Sequence, residues 1–491
     1  CFVLYNAAIY YAQYVAIEYE TIVKQESIEL MKKLLKEETD NDKSNNDTTL
    51  TLPFSPMTVR GNKFKNRIIK AATYEALCNI NGIPLRGMVD FHQKMARGGS
   101  GMCIVAYGAI SPGGRSFPAQ LICCEESISM MQEVTSAIHI EGSLACIQLT
   151  HAGYFSDRDL AVGANHEQMS AQSIFNPSKF NICRAMTEND CVMVTNYFVD
   201  AAKAAVKANF DCIEVHCGHG YLLSQYLSPK LNPGVSLRDR LKFPCKVLNL
   251  IRKAIDETAQ LLNKDKKSDV GVIIMVKMNI VDGMVGGLTV DESSKIAVAF
   301  AECGVDIIGL SGGLILENGL FMLRGNVPLS NMVSATSDLL KKFAMIIFGP
   351  LVIPHIKFNE YFFQQGGVCI LKSIELWKQK QKQKPMHDVY MCIMGGIHSY
   401  DSLYSSISCD GFDFIQSGRA TLYNPNIVHQ WKEIEDAHTN SNSSNSNANA
   451  NAKDGQYGQY GQYGGTSECT KCNHCIIDAT MRQKPINCVE W

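Results

Sequence analysis

The segment Glu214–Pro229, EVHCGHGYLLSQYLSP, places His216, His219 and Tyr221 within six residues. A neutral imidazole donates a hydrogen bond, and a phenol of ordinary pKa near 10 is protonated at neutral pH and donates too. Together such groups can hold a substrate oxygen and deliver a proton beside it. The same residues on a plain turn would only cap it. What favours chemistry is their place at the end of an apolar run, FDCIEVH. Other apolar runs also end in polar or glycine positions. Gln148 and His151 lie in CIQLTHAGY, Lys277 in VKMNIVDG, Gly395 and Gly396 in IMGGI, and Gly418 and Arg419 in QSGRA.

These runs have the length and β-branched content of buried strands. GMCIVAYGA, LACIQLT, FDCIEVH, GVIIMVKMN, VDIIGLSGG, DVYMCIMGGI and FDFIQSGRA alternate with helical patterns such as TNYFVDAAKAAVKANF and DESSKIAVAFAECG. Strand–helix alternation predicts a parallel sheet, and seven or eight units predict an α/β fold of the (β/α)8 TIM-barrel kind with loop insertions. Chemistry then belongs at the C-terminal ends of the strands. Glycine turns after the last two strands, with an arginine, are a phosphate-binding arrangement.

The chain has 491 residues, 46% hydrophobic and 19% charged, enough for a large barrel with a full core. A net charge of −2 argues against a nucleic-acid partner. Most of the 19 cysteines stand singly in apolar runs, as buried thiols of a reducing, cytoplasmic protein do. Residues 1–50 read as an N-terminal extension and linker. The chain begins on Cys1, as a fragment or a displaced start would. Its first apolar stretch is broken by Glu18 and Glu20, which favours an amphipathic helix or a disordered extension over a membrane span. The barrel is expected over 51–434, a low-complexity disordered insertion over 435–466, and a Cys-rich segment over 467–491.

The motifs FKNRIIKAATYEAL, MARGGSGMCIVAYGAI, IQLTHAG, EVHCGHGYLLSQYLSP, SGG, IMGGI and FDFIQSGRATLYNP resemble the Old Yellow Enzyme superfamily of NADH:flavin oxidoreductases. The resemblance runs from about Leu52 to the C-terminus, broken by the insertions. It implies FMN across the barrel mouth and NAD(P)H as reductant, in ping-pong fashion. The turns at Gly395–Gly396 and Gly418–Arg419 would hold the FMN phosphate. Gln148 would bond the flavin ring, Lys277 would stand near its N1/O2 edge, and the backbone of Ala71, Ala72, Thr73 and Tyr74 would line the other edge. His216 and His219 would hold the oxygen of a conjugated carbonyl, nitro or quinone substrate. Hydride would pass from flavin N5 to the activated carbon, with Tyr221 as proton donor. Tyr74 stands where many relatives have Thr or Cys, and the segment after Asn232 is shorter than usual, so weakened activity is an expectation too.

CTKCNHC supplies Cys469, Cys472 and Cys475, with Cys488 following. This resembles the iron–sulfur segment of the 2,4-dienoyl-CoA reductase branch. A [4Fe–4S] cluster, a zinc site and unligated thiols all remain open. The competing functional readings are a catalytically degenerate flavin-binding or interaction protein and a tRNA dihydrouridine synthase-like barrel. The reading is compatible with an oligomer.

Overall fold

Eight parallel strands close into a barrel: β1 (Ile68–Lys70), β2 (Met102–Ala109), β3 (Leu144–Thr150), β4 (Cys212–Cys217), β5 (Ile273–Asn279), β6 (Ile307–Ser311), β7 (Tyr390–Ile393) and β8 (Phe414–Ser417). Each pairs with the next in sequence, and Ile415↔Ile68, Gln416↔Ile69 and Ser417↔Lys70 close the ring. The computed structural model describes residues 2–39, 51–157, 160, 168–176, 181–262, 270–326, 328–352, 356–381, 388–444, 466–486 and 488. Seven of the strands lie inside the apolar runs singled out above. The eighth, β1, has only three residues in the ladder, too few for a periodic signal.

Alternation along each strand divides the side chains between two cores. Ile213, Val215 and Cys217 of β4 face the surrounding helices, as do Ile274, Val276 and Met278 of β5. Cys212, Ile273 and Met275 face inward, with Ile69, Met102, Ile104, Cys146, Ile307, Cys392 and Phe414. A hairpin, Met57–Val59 paired with Asn62–Phe64, plugs this inner core from below. Phe64 is fully buried, with its ring 4.7 Å from that of Phe414. Phe64→Ala is expected to lower stability by about 3–5 kcal/mol, read as a lowered denaturant midpoint with unchanged m-value. No loss would mean that the plug is not part of the cooperative unit.

Residues 2–39 form one helix, α1 (Phe2–Thr39). Its later turns dock on the barrel. Tyr19 meets Phe321 edge-on at 5.8 Å, the Cys369 thiol donates to the Ser27 carbonyl at 3.2 Å, and Lys372 pairs with Glu38 at 2.6 Å. The N-terminal stretch therefore contains a packed helix and is more than a linker. At the other end, the expected disordered boundary at 435 is corrected. The helix Ile427–Ser444 runs through it, because Glu435 is buried and accepts from the Tyr400 hydroxyl at 3.1 Å. The rest of that insertion, 445–465, lies outside the described residues. Among the described residues no helix is long and apolar enough to cross a membrane.

Candidate active site

The inner core changes character toward the C-terminal ends of the strands. Above its apolar layer the inward positions are Gln148, Glu214, Lys277 and Gln416, all buried. Glu214 is the hub of this layer. It accepts from Gln148 Nε2 at 2.5 Å and from Gln416 Nε2 at 2.9 Å, and its Oε2 lies 3.2 Å from Lys277 Nζ. A charge this deep is tolerable only when paired and hydrogen-bonded, and both conditions are met. Sequence reading missed Glu214. The available signal was its parity, two residues before His216 and so on the same inward face.

His216 is the next-to-last residue of β4, two beyond Glu214 on the same inward face. The turn beyond it needs left-handed backbone, φ 60° at His219 and 83° at Gly220. Three hydrogen bonds fix the turn: Gly218 N–H to His216 Nδ1 at 3.3 Å, His219 N–H to Asn279 Oδ1 at 2.9 Å, and Gly220 N–H to Ser224 Oγ at 3.1 Å. The Gly218 bond leaves the neutral His216 ring with its proton on Nε2. His219 Nε2 lies 2.7 Å from Ser311 Oγ at the end of β6. The two imidazole rings are 5.0 Å apart, and the Tyr221 ring is 4.5 Å from that of His216. The three groups singled out from sequence thus meet in one small volume.

Burial, with the charges of His219 and Lys277 added, holds His216 well below its ordinary pKa. Burial and Lys277 hold His219 down at about 3. Both shifts favour the neutral ring at physiological pH, and a neutral imidazole keeps one N–H donor. Burial pushes the Tyr221 phenol up to about 12, and the hydrogen bond with Tyr107 offsets part of the rise. Tyr107 was another omission. The register of β2 against β3 shifts between Val105 and Gly108, and this bulge aims Tyr107 into the mouth, 5.5 Å from the Tyr221 ring. The Glu75 carboxylate accepts from Ala106 N–H at 2.8 Å and fills the ladder gap there.

Along the β1 edge, Ala71 N–H donates to the Ser417 carbonyl at 2.9 Å, and Thr73 Oγ1 accepts from Lys70 at 2.9 Å. Tyr74 stacks on Phe117 at 4.9 Å and donates to Gln483 of the C-terminal segment at 2.7 Å. Beyond Asn232, buried Arg240 bonds the Leu227 carbonyl and pairs with Glu292.

The turns after β7 and β8 lie together. Gly395 and Gly396 have φ of 113° and 81°, and a Cβ on Gly395 would stand 2.6 Å from the Phe363 ring. His398 follows, and its buried Nδ1 has no hydrogen-bond partner among the described residues. Gly418 has no heavy atom closer than 3.9 Å to where its Cβ would be. Arg419 donates to the Arg324 carbonyl at 3.0 Å and to Asn473 Oδ1 at 2.9 Å. This donor set fits FMN. The Arg419 cation, the uncrowded backbone at Gly418 and the unpartnered His398 imidazole suit a phosphate. Gln148 and Lys277 suit the heteroatoms of the ring.

The matching family model, the NADH:flavin oxidoreductase / NADH oxidase family, covers residues 53–309. The chain belongs to that family. A 4,4′-dithiodibutanoate disulfide reductase of Rhodococcus erythropolis is 31% identical over 393 residues, 78% of this chain and 90% of the relative. An NADH oxidase of Thermoanaerobacter brockii is 26% identical over 351 residues, 67% of this chain, and the chain spans only half of that relative's length. The solved Old Yellow Enzyme homologue from Zymomonas mobilis shares the fold at TM-score 0.56 and 15% identity, covering 78% of this chain and 92% of that one. The family is one of FMN-dependent NAD(P)H oxidoreductases, the Old Yellow Enzyme superfamily, and this chain is an oxidoreductase of that kind.

Of the four C-terminal cysteines, Cys475 feels the other three electrostatically. Burial first, then the neighbouring Cys469, Cys488 and Cys472, push the Cys475 thiol up to about 12. Among the described residues, however, no group of three or more His, Cys, Asp or Glu side chains is arranged to hold an ion.

Proposed function

We propose that this oxidoreductase reduces an activated alkene (an enone, enoate or nitroalkene) or a quinone, with Tyr221 as the proton donor. The observation that carries the reading is the convergence of His216, His219 and Tyr221 above the Glu214–Lys277 pair. When bound, FMN supplies the hydride, which no side chain can carry. Gln148 and Lys277 would orient its ring, Ala71–Tyr74 would border it, and Gly395, Gly396, Gly418 and Arg419 would hold its phosphate. His216 donates through Nε2. With Ser311 as the donor to His219 Nε2, the Nδ1 proton of His219 would be left for the same substrate oxygen. Polarising that oxygen draws electron density from the conjugated carbon and makes it a hydride acceptor. Tyr221, protonated throughout the neutral range, gives its proton to the adjacent carbon.

The test is the visible spectrum of the purified protein, anaerobically, before and after NADPH or NADH. Bands near about 450 nm that bleach on addition are expected of a flavin. Re-oxidation should then follow from an enone, a nitroalkene or a quinone. 4,4′-Dithiodibutanoate belongs in the same panel, because the Rhodococcus relative is named for reducing it. A colourless protein that takes up no FMN would favour the interaction-protein reading instead. Iron, acid-labile sulfide and zinc, assayed on the same sample, decide between a [4Fe–4S] cluster, a zinc ion and bare thiols at Cys469, Cys472, Cys475 and Cys488.

A further inference from the structure

We infer that the Cys-rich segment completes the FMN phosphate site, with Lys471 as a phosphate ligand and Asn473 positioning Arg419. The inference rests on the FMN reading of the barrel mouth and adds a residue from outside the barrel to it. Three observations carry it.

The first is a charge imbalance. Lys471 Nζ lies 4.9 Å from the centre of the Phe358 ring, the Arg419 guanidinium 5.7 Å, and the His398 ring 4.9 Å. Two cations and an imidazole thus meet at one side chain beside the ends of β7 and β8. Neighbouring Arg324 has Glu20 as its counter-ion at 2.8 Å. Lys471 and Arg419 have no carboxylate partner among the described residues. The acidic groups acting on Arg419 are the thiols of Cys469, Cys475 and Cys472, so two cations gathered at one ring favour an added anion. A phosphate dianion beside the unpartnered His398 Nδ1 meets that need.

The second is backbone conformation. Lys471 and Asn473 have φ of 59° and 60°. A left-handed conformation suits asparagine and glycine, and a lysine has no backbone reason to occupy it. This backbone leaves the Lys471 ammonium over the Phe358 ring, and a flexible ammonium is a point charge that can meet a phosphate without fixed geometry.

The third is how the segment is tied down. Ser467 N–H donates to the His398 carbonyl at 2.7 Å, and Asn326 N–H to the Lys471 carbonyl at 3.1 Å. Asn473 Nδ2 donates to the Asn326 carbonyl at 3.0 Å while its Oδ1 accepts from Arg419. Two of these ties end on the phosphate turns, at His398 and Arg419, and the other two on Asn326. Asn473 therefore acts through Arg419 and is a positioning residue.

Riboflavin, which lacks the phosphate, makes the test. Full-length protein freed of flavin is titrated with FMN and with riboflavin, and quenching of flavin fluorescence gives the two dissociation constants. Lys471→Ala is expected to weaken FMN about tenfold or more and riboflavin less than twofold. Lys471→Arg should recover most of the loss. In the unsubstituted protein, FMN but not riboflavin should slow amide exchange over residues 466–486. Unchanged FMN affinity in Lys471→Ala, or equal protection by the two flavins, would overturn the inference and leave the FMN site standing. Failure of the unsubstituted protein to bind either flavin would instead overturn the reading of the mouth, and the inference with it.

Discussion

Tyr221→Phe is expected to slow reduction of an enone about 10²–10⁴-fold and to leave reduction of the flavin by NAD(P)H within about twofold. The substitution removes one hydroxyl and keeps the ring that packs 4.5 Å from His216 and 5.5 Å from Tyr107. Only the step that needs a proton from the phenol should respond. The pH profile gives an independent check. With the phenol pushed up to about 12 and both imidazoles held well below neutrality, alkene reduction should be flat from about pH 6 to 10 as far as these groups decide it. Stopped-flow traces of the two half-reactions separate the outcomes. Equal slowing in both would mean that Tyr221 shapes the flavin pocket, and the proton-donor assignment would fail.

Glu214→Ala is expected to cost about 3–5 kcal/mol of stability, because it leaves the Lys277 ammonium buried without its partner. It also strips two amide side chains, Gln148 and Gln416, of their acceptor. Adding Lys277→Met should restore part of the loss, since the stranded charge is gone. In a double-mutant cycle the coupling should exceed about 1 kcal/mol, measured by urea unfolding of the flavin-free proteins. Additive single costs would show that the two groups do not communicate, and that Lys277 owes its position in the mouth to packing alone. Arranging this pair deep in the barrel costs solvation that a purely structural core would avoid. That cost makes sense if the ammonium is wanted next to a ring that becomes electron-rich.

The sequence by itself determined seven of the eight strands, their order and the residues at their ends. Period-two alternation places His216 inward whatever the rest of the chain does, and Gly395–Gly396 and Gly418–Arg419 mark turns through local backbone preference alone. The motif resemblance supplied the cofactor. All of these are short-range properties, carried by a few neighbouring residues.

What only the tertiary structure decided are contacts between residues far apart in the chain. Glu214 reads as one more polar residue until barrel closure brings Gln148, Lys277 and Gln416 around it. Tyr107 reads as a core aromatic until the bulge in β2 turns it toward Tyr221. The strand β1 gains its place from pairing on both sides, since three residues carry no period. The fate of the C-terminal segment was least legible. Its cysteines drew attention to a metal, while Gln483, Asn473 and Ile486, ordinary in sequence, tie it to Tyr74, Arg419 and Glu75. Register and closure set such pairings, and neither is written in any local window of the chain.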